Sequence, residues 1–458
     1  MDFGLTNNSI KAFEDQKLLH IHQSCVSYPS DTLICSIPVS AKNVDLNIPF
    51  KNILWVDKTG PNSVTLSYVS RSSKVATKCW VDFVENSDQF CEYLLDVAYK
   101  GIKRSRRFIV FINPHGGKGK AKHIWESEAE PVFSSAHSIC EVVLTRRKDH
   151  AKSIAKNLDV GSYDGILSVG GDGLFHEVIN GLGERDDYLE AFKLPVCMIP
   201  GGSGNAFSYN ATGQLKPALT ALEILKGRPT SFDLMTFEQK GKKAYSFLTA
   251  NYGIIADCDI GTENWRFMGE NRAYLGFFLR LFQKPDWKCS IEMDVVSSDR
   301  TEIKHMYEKS KNLAPMSESS DSDKTVSTSP ESHLLTFEIN DLSIFCAGLL
   351  PYIAPDAKMF PAASNDDGLI DVVIVYSKQF RKSLLSMFTQ LDNGGFYYSK
   401  HLNYYKVRSF RFTPVNTGKR HYFALDGESY PLEPFECRVA PKLGTTLSPV
   451  AGFQLLDI

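Results

Sequence analysis

Phe108-Ile109-Val110-Phe111-Ile112 runs directly into Asn113-Pro114-His115-Gly116-Gly117-Lys118-Gly119-Lys120, and a helix-compatible stretch through Ile124 and Trp125 follows. A short apolar run bounded by turn formers reads as a buried strand, so the order is strand, glycine loop, helix. Glycines let backbone N–H groups approach a phosphate, and the next helix turns its positive end toward it. Lys118 or Lys120 adds charge. The same order recurs where residues 166–169 lead into Gly170-Gly171-Asp172-Gly173 and a helix carrying Phe175, Val178, Ile179 and Leu182. It recurs again where residues 196–199 open into Pro200-Gly201-Gly202-Ser203-Gly204-Asn205-Ala206. Strands alternating with helices over residues 105–233 predict an α/β nucleotide-binding domain with a mostly parallel sheet. Ligands of such sheets bind at the carboxyl ends of strands, so three turns line one cleft.

Two familiar nucleotide motifs do not fit. A Walker A loop needs Ser or Thr after its lysine, and Gly119-Lys120 is followed by Ala121. A Rossmann fingerprint needs a glycine where Lys122 stands. Asp2-Phe3-Gly4 spells a protein-kinase triplet with no catalytic loop or strand lysine upstream.

The chain has 458 residues, 43% of them apolar, enough for two or three domains. Lys plus Arg is 51 against 53 for Asp plus Glu, so no global basic field favours nucleic acid. No apolar run reaches the roughly 18 residues of a membrane span, so contact with lipid is expected to be peripheral. Asp2 stands where myristoylation needs glycine, and no secretory signal is evident. Ten scattered cysteines, none in C-x-x-C, favour reduced thiols and an intracellular compartment, which is expected to be the cytoplasm, with any association to intracellular membranes peripheral.

Residues 1–104 read as a small strand-rich module, with apolar stretches at 33–38, 53–56, 64–69 and 80–84, closed by a helix over 88–100. That order resembles a pleckstrin-homology-like module. Lys103, Arg104, Arg106 and Arg107 follow as a basic run, which reads as a solvated boundary or an anionic-membrane contact. Residues 234–458 read as a second, mainly antiparallel, β-rich domain, to which the family resemblance given below assigns lipid binding, with strands at 245–250, 334–339, 343–347, 369–375 and 407–412. The stretch 309–332 is too polar to bury anything and is expected to be a disordered insertion.

The blocks Asn113 to Gly119, Gly171-Asp172-Gly173 with Glu177, and Gly202-Ser203-Gly204-Asn205 together resemble the diacylglycerol kinase catalytic family. Gly253-Ile254-Ile255-Ala256-Asp257-Cys258-Asp259, with Arg266, Gly269-Glu270, Arg272 and the late Asp426-Gly427-Glu428, is similar to its sphingosine and long-chain-base kinase branch. The resemblance implies that ATP contacts Asn113, Pro114, His115, Gly116, Gly117, Thr145, Gly170, Gly171, Asp172, Glu177, Gly202, Ser203 and Gly204. It also implies that Arg266 and Arg272 hold phosphates, that Asp426, Gly427 and Glu428 return to the nucleotide, and that Asp172 is the catalytic acid/base. Asp259 would grip the substrate head group beside Gly171, Asp172 and Gly173. His115 and Gly170 stand where relatives often carry Arg and Ser.

The implied reaction moves the γ-phosphate of ATP, with Mg²⁺, to the 1-hydroxyl of sphingosine, dihydrosphingosine or phytosphingosine. A loose transition state asks mostly for positioning, and a carboxylate that accepts the hydroxyl proton assists. Asp172 between glycines suits that role, and it equally suits a helix N-cap. No metal ligands can be derived, although Asp172 or Asp257 could act through water. Leu275, Phe278, Leu279 and Phe282 fall at helical spacing, with Phe277 and Leu281 beside them, as core or as the wall of an alkyl pocket. A ceramide or diacylglycerol kinase is the nearest alternative, and Asp259, placed to meet an ammonium, argues against it. A NAD kinase or a non-catalytic lipid scaffold are more distant ones.

Overall fold

Alternating apolar residues ahead of the first glycine loop build antiparallel pairs. β1 (Ile10–Glu14) pairs with β2 (Lys17–Ile21), and β3 (Thr32–Val39) pairs with β4 (Lys42–Pro49). β5 (Ile53–Gly60), β6 (Ser63–Val69) and β7 (Ala76–Asp82) form a three-stranded sheet. The helix α1 (Ser87–Tyr99) carries Cys91, Leu94, Leu95 and Ala98 on one face and buries them with Ile53, Val56 and Leu66. The computed structural model describes residues 10–14, 17–21, 32–39, 42–61, 63–70, 76–82, 87–116, 119–262, 287–312, 332–377, 389–415, 418 and 421–449.

The basic run after α1 is not an open patch. Lys103 pairs with Asp164 at 2.6 Å, Arg104 with Glu92 and Asp96, and Arg107 with Glu141 at 3.5 Å. Arg106 is buried and donates to the carbonyls of Ile224 and Gly227.

The α/β domain runs β8 (Arg107–Ile112), α2 (Ala121–Ile124), a π turn at Trp125–Ala129, α3 (Glu130–Ser135), β9 (Ile139–Leu144) and α4 (His150–Lys156). It continues with β10 (Gly165–Gly170), α5 (Asp172–Gly183), α6 (Tyr188–Ala191), β11 (Val196–Pro200), α7 (Ala206–Thr212) and α8 (Pro217–Leu225). Four parallel strands lie in the order β11-β10-β8-β9. Ile109 and Phe111 pack with residues of α4, α5 and α7, while Phe108, Val110 and Ile112 pack with Trp125, Phe133 and α8. Helices on both faces explain why β8 is apolar at successive positions.

The second domain holds β12 (Arg228–Gln239), β13 (Lys242–Ser246), β14 (Thr249–Gly253), α9 (Ile254–Asp259), β15 (Trp287–Ser297) and α10 (Arg300–Asn312). It ends with β16 (His333–Gly348), β17 (Ile370–Tyr376), β18 (Asn403–Pro414), β19 (Phe423–Leu425), β20 (Glu428–Tyr430) and β21 (Phe435–Ser448). These strands form one ten-stranded antiparallel sheet, in which β21 returns beside β12.

Four expectations change. The boundary at 233 falls inside β12, and the separate strands at 334–339 and 343–347 are the single strand β16. The strand expected at 245–250 is split into β13 and β14, because the N–H groups of residues 247–249 turn to a carboxylate described below. Residues 309–312 of the expected insertion end α10, and 313–331 lie outside the described residues.

Asp371 and Lys406 are buried cross-strand partners in β17 and β18. The Lys406 amine lies 2.8 Å from Asp371 and 2.7 Å from Asp367, and the Tyr404 hydroxyl donates to Asp371. Lys406→Ala leaves both carboxylates without their cation and should cost about 3–5 kcal/mol in urea unfolding. A loss under about 1 kcal/mol would mean that water replaces the amine.

Candidate active site

The three glycine loops meet at the carboxyl end of the parallel sheet. Asn113 Oδ1 accepts the His115 N–H at 3.0 Å, and the Asn113 N–H donates to Val169 at 3.3 Å, joining the first loop to the second strand. The third loop is tied by Asn205, in the left-handed conformation (φ 59°), whose Oδ1 accepts the N–H groups of Gly201 and Gly202. A side chain on Gly202 would lie 2.6 Å from the Gly171 nitrogen, so the second and third loops touch backbone to backbone.

Asp172 is the first residue of α5, with Gly171 at the N-cap position. Its carboxylate does not cap its own helix. It crosses to the start of α7 and accepts the N–H groups of Ala206 and Phe207, each at 3.1 Å. Desolvation pushes its carboxyl up to about 6, against the pull of those two N–H groups and with help from the charge of Asp426.

Glu177 serves the other side of α5. Its carboxylate accepts the Ala151 N–H at 3.2 Å at the start of α4, and so holds the loop that follows β9. Burial raises its pKa, opposed by backbone N–H groups that include Asp149. Thr145 is buried at the start of that loop, its N–H bonded to Ile112 at 2.8 Å.

The late loop is a two-residue hairpin turn between β19 and β20, with Asp426 at φ 51° and Gly427 at φ 79°, as a type I′ turn requires. The Asp426 carboxylate is buried. It accepts the Ser246 hydroxyl at 2.6 Å, the N–H groups of Phe247, Leu248 and Thr249 at 3.2, 2.9 and 3.0 Å, and His176 Nδ1 at 2.8 Å. Beyond it, Glu428 sits over Gly173, where an added Cβ would meet its Oε1 at 2.7 Å, and pairs with Lys148 at 3.2 Å. A Cβ on Gly427 would lie 3.4 Å from Asp259 Oδ2. Glu428 therefore lies beside the residue that follows Asp172, and Asp259 beside the turn that carries Glu428.

Asp257 is not part of it, since its carboxylate accepts the Trp287 indole N–H at 3.1 Å and the Tyr422 N–H at 3.0 Å. Gly117, Arg266, Arg272 and the apolar stripe from Leu275 to Phe282 lie outside the described residues. Lys148 and His176 were not among the residues expected from sequence. The one available signal was that His176 follows Asp172 by four positions, one helical turn.

Residues 107–237 match the diacylglycerol kinase catalytic domain, and 347–447 match the YegS C-terminal, NAD kinase beta sandwich-like domain. A solved diacylglycerol kinase from Bacillus anthracis shares the fold, with a TM-score of 0.51 at 18% identity over 75% of this chain and 97% of that one. Among curated proteins, sphingoid long chain base kinase 5 of Saccharomyces cerevisiae is 30% identical over 80% of this chain. The chain spans 62% of that relative's length. Sphingosine kinase 1 of Arabidopsis thaliana is 31% identical over 72% of this chain and 67% of its own, and human sphingosine kinase 1 is 29% identical over 74% and 90%. The chain belongs to the sphingosine and sphingoid long-chain-base kinase family.

Asp426→Asn keeps the size of the side chain but leaves one oxygen to accept where two did. At least two of the buried donors lose their partner, so unfolding by urea should show a loss of about 3 kcal/mol or more. A variant as stable as the parent would mean that the turn is held from elsewhere.

Proposed function

We propose that this chain transfers the γ-phosphoryl group of ATP to the 1-hydroxyl of a sphingoid long-chain base, with Asp172 as the group that accepts the hydroxyl proton. The single observation that carries this reading is the setting of Asp172. Its carboxylate is aimed by two N–H groups at the meeting of the glycine loops, with a pKa close enough to neutrality for proton transfer in either direction.

Nucleotide phosphates would lie against Asn113, Pro114, His115, Gly116, Gly117, Gly170, Gly171, Gly202, Ser203 and Gly204, where backbone N–H groups and Arg266 and Arg272 supply positive charge. Thr145, Glu177, Asp426, Gly427 and Glu428 complete that side. Of these, Glu177 and Asp426 spend their carboxylates on backbone N–H groups, so they shape the nucleotide site by holding its loops. The lipid hydroxyl would enter beside Gly171, Asp172 and Gly173, and Asp259 would pair with the ammonium. Ceramide and diacylglycerol offer no ammonium, which favours the base over either. The described residues contain no group of three or more His, Cys, Asp or Glu that could hold a metal. Magnesium, which screens phosphate charge, would therefore arrive with the nucleotide, and no step is routed through it. No helix among the described residues is long and apolar enough to cross a membrane. Association with a membrane surface follows from the substrate, which resides there.

Asp172→Asn cannot take a proton, and turnover with sphingosine should fall by about 10² or more while nucleotide binding persists. In the parent, kcat/KM should decline as pH drops through about 6, because a base works only when ionised and desolvation has raised this carboxyl to that value. Turnover that persists undiminished at pH 5 would remove Asp172 from the role.

Asp259→Asn separates the two substrates. The KM for sphingosine should rise about 10-fold, with the KM for ATP nearly constant. If the ATP constant moves and the sphingosine constant does not, Asp259 serves the phosphates and the preference for an amine loses its support.

A further inference from the structure

His176 carries a titratable ring that the proposed chemistry does not use. It is 6% exposed, on the same helix as Asp172 and one turn beyond it. Nδ1 lies 2.8 Å from Asp426 Oδ2, and Nε2 lies 3.1 Å from the Tyr430 hydroxyl. Asp426 already receives a hydroxyl and three backbone N–H groups, so it is an acceptor and the ring must donate from Nδ1. Asn180 Nδ2 also lies 3.2 Å from Nε2, but its two hydrogens have shorter contacts to the carbonyls of Tyr245 and His176, so the Tyr430 hydroxyl is the main donor to Nε2. Burial and the charge of Asp426 keep that phenol protonated.

The ring thus grips both ends of the segment from Asp426, in the hairpin turn, to Tyr430, at the end of β20, from the helix that bears Asp172. Between those ends lie Gly427, against Asp259, and Glu428, over Gly173. We propose that His176 is a positioning residue of the phosphoryl transfer, keeping the Asp426-Gly427-Glu428 turn in register with Asp172. This rests on Asp172 being the base.

The hydrogen bond from Nδ1 also offsets part of the charge that Asp426 projects onto Asp172. The groups that face the ring are Asp426 and Tyr430 from the hairpin, with Asn180 on its own helix. Glu428 and Asp149 bear on Tyr430 from beyond. Losing the donor would leave more of the Asp426 charge acting on Asp172, and would make ionisation of Asp172 harder. The sign is the same whether the ring is neutral or charged.

Three variants of the full chain test this, each with kcat and KM for ATP and sphingosine measured across pH. His176→Leu removes the donor, and should lower kcat/KM about 10-fold or more and move its acid limb up by about half a pH unit or more. His176→Asn sets an amide N–H where Nδ1 stood and should restore the limb, whereas His176→Gln reaches toward Tyr430 instead and should not. If the leucine variant does not fold, the asparagine and glutamine pair carries the test, being equal in polarity and opposite in reach. A purely structural role would lower melting temperature in all three and leave the limb unmoved, and that result overturns the proposal. So does a limb that shifts equally in Asn and Gln. An active Asp172→Asn enzyme would instead sink the base assignment, and an inactive one with unmoved limbs in the His176 series sinks the positioning role alone.

Discussion

A buried carboxylate must find donors or lose its charge, and Asp426 finds five from two domains. Four come from the β13–β14 connection of its own sheet and the fifth from α5 of the α/β domain. The turn that carries it is therefore fixed to both halves of the cleft by one side chain. The left-handed backbone at Asp426 and Gly427 is the strain this arrangement tolerates, and Asp-Gly is the pair that tolerates it most cheaply. Glu428 and Gly427 inherit their positions from that anchor, over Gly173 and against Asp259.

The rest of the site follows the same economy, in which acidic side chains order backbone before they meet any ligand. Glu177 holds the start of α4, Asp172 holds the start of α7, and Asn205 closes the third glycine loop on itself. These bonds fix the loops before any ligand arrives, which is the preorganisation that the proposed phosphoryl transfer would need. The glycines do the complementary work, since Gly202 and Gly171 approach more closely than any side chain allows.

Most of the nucleotide half was legible in the sequence because its signals are local. An apolar strand that stops at a glycine turn needs no partner to be recognised, and Phe108 to Ile112, residues 166–169 and residues 196–199 all became neighbouring parallel strands. The antiparallel half was harder. The 245–250 strand was misjudged because its interruption is caused by a carboxylate about 180 positions away, and β15 and β21 were missed because their inward faces depend on partners remote in sequence. Asp172 was singled out by the glycines around it, but its partners on α7 were not foreseen, because the bond crosses from one helix to the next. His176 escaped for the same reason, being legible only as a helical neighbour of Asp172.

The return of β21 to lie beside β12 pairs Arg228 with Ser448 and Glu238 with Glu436, with the register shifting once between Phe232 and Leu234. On a ribosome, β12 emerges long before the strand it must pair with. The parallel sheet can form from contacts within its own span, while the large sheet stays open along β12, and one α/β core lacks Leu447, until β21 is released. A nascent chain would pass through a state with a formed glycine-loop cleft and an unpaired apolar edge beside it. Such an edge invites other chains until β21 arrives to cover it.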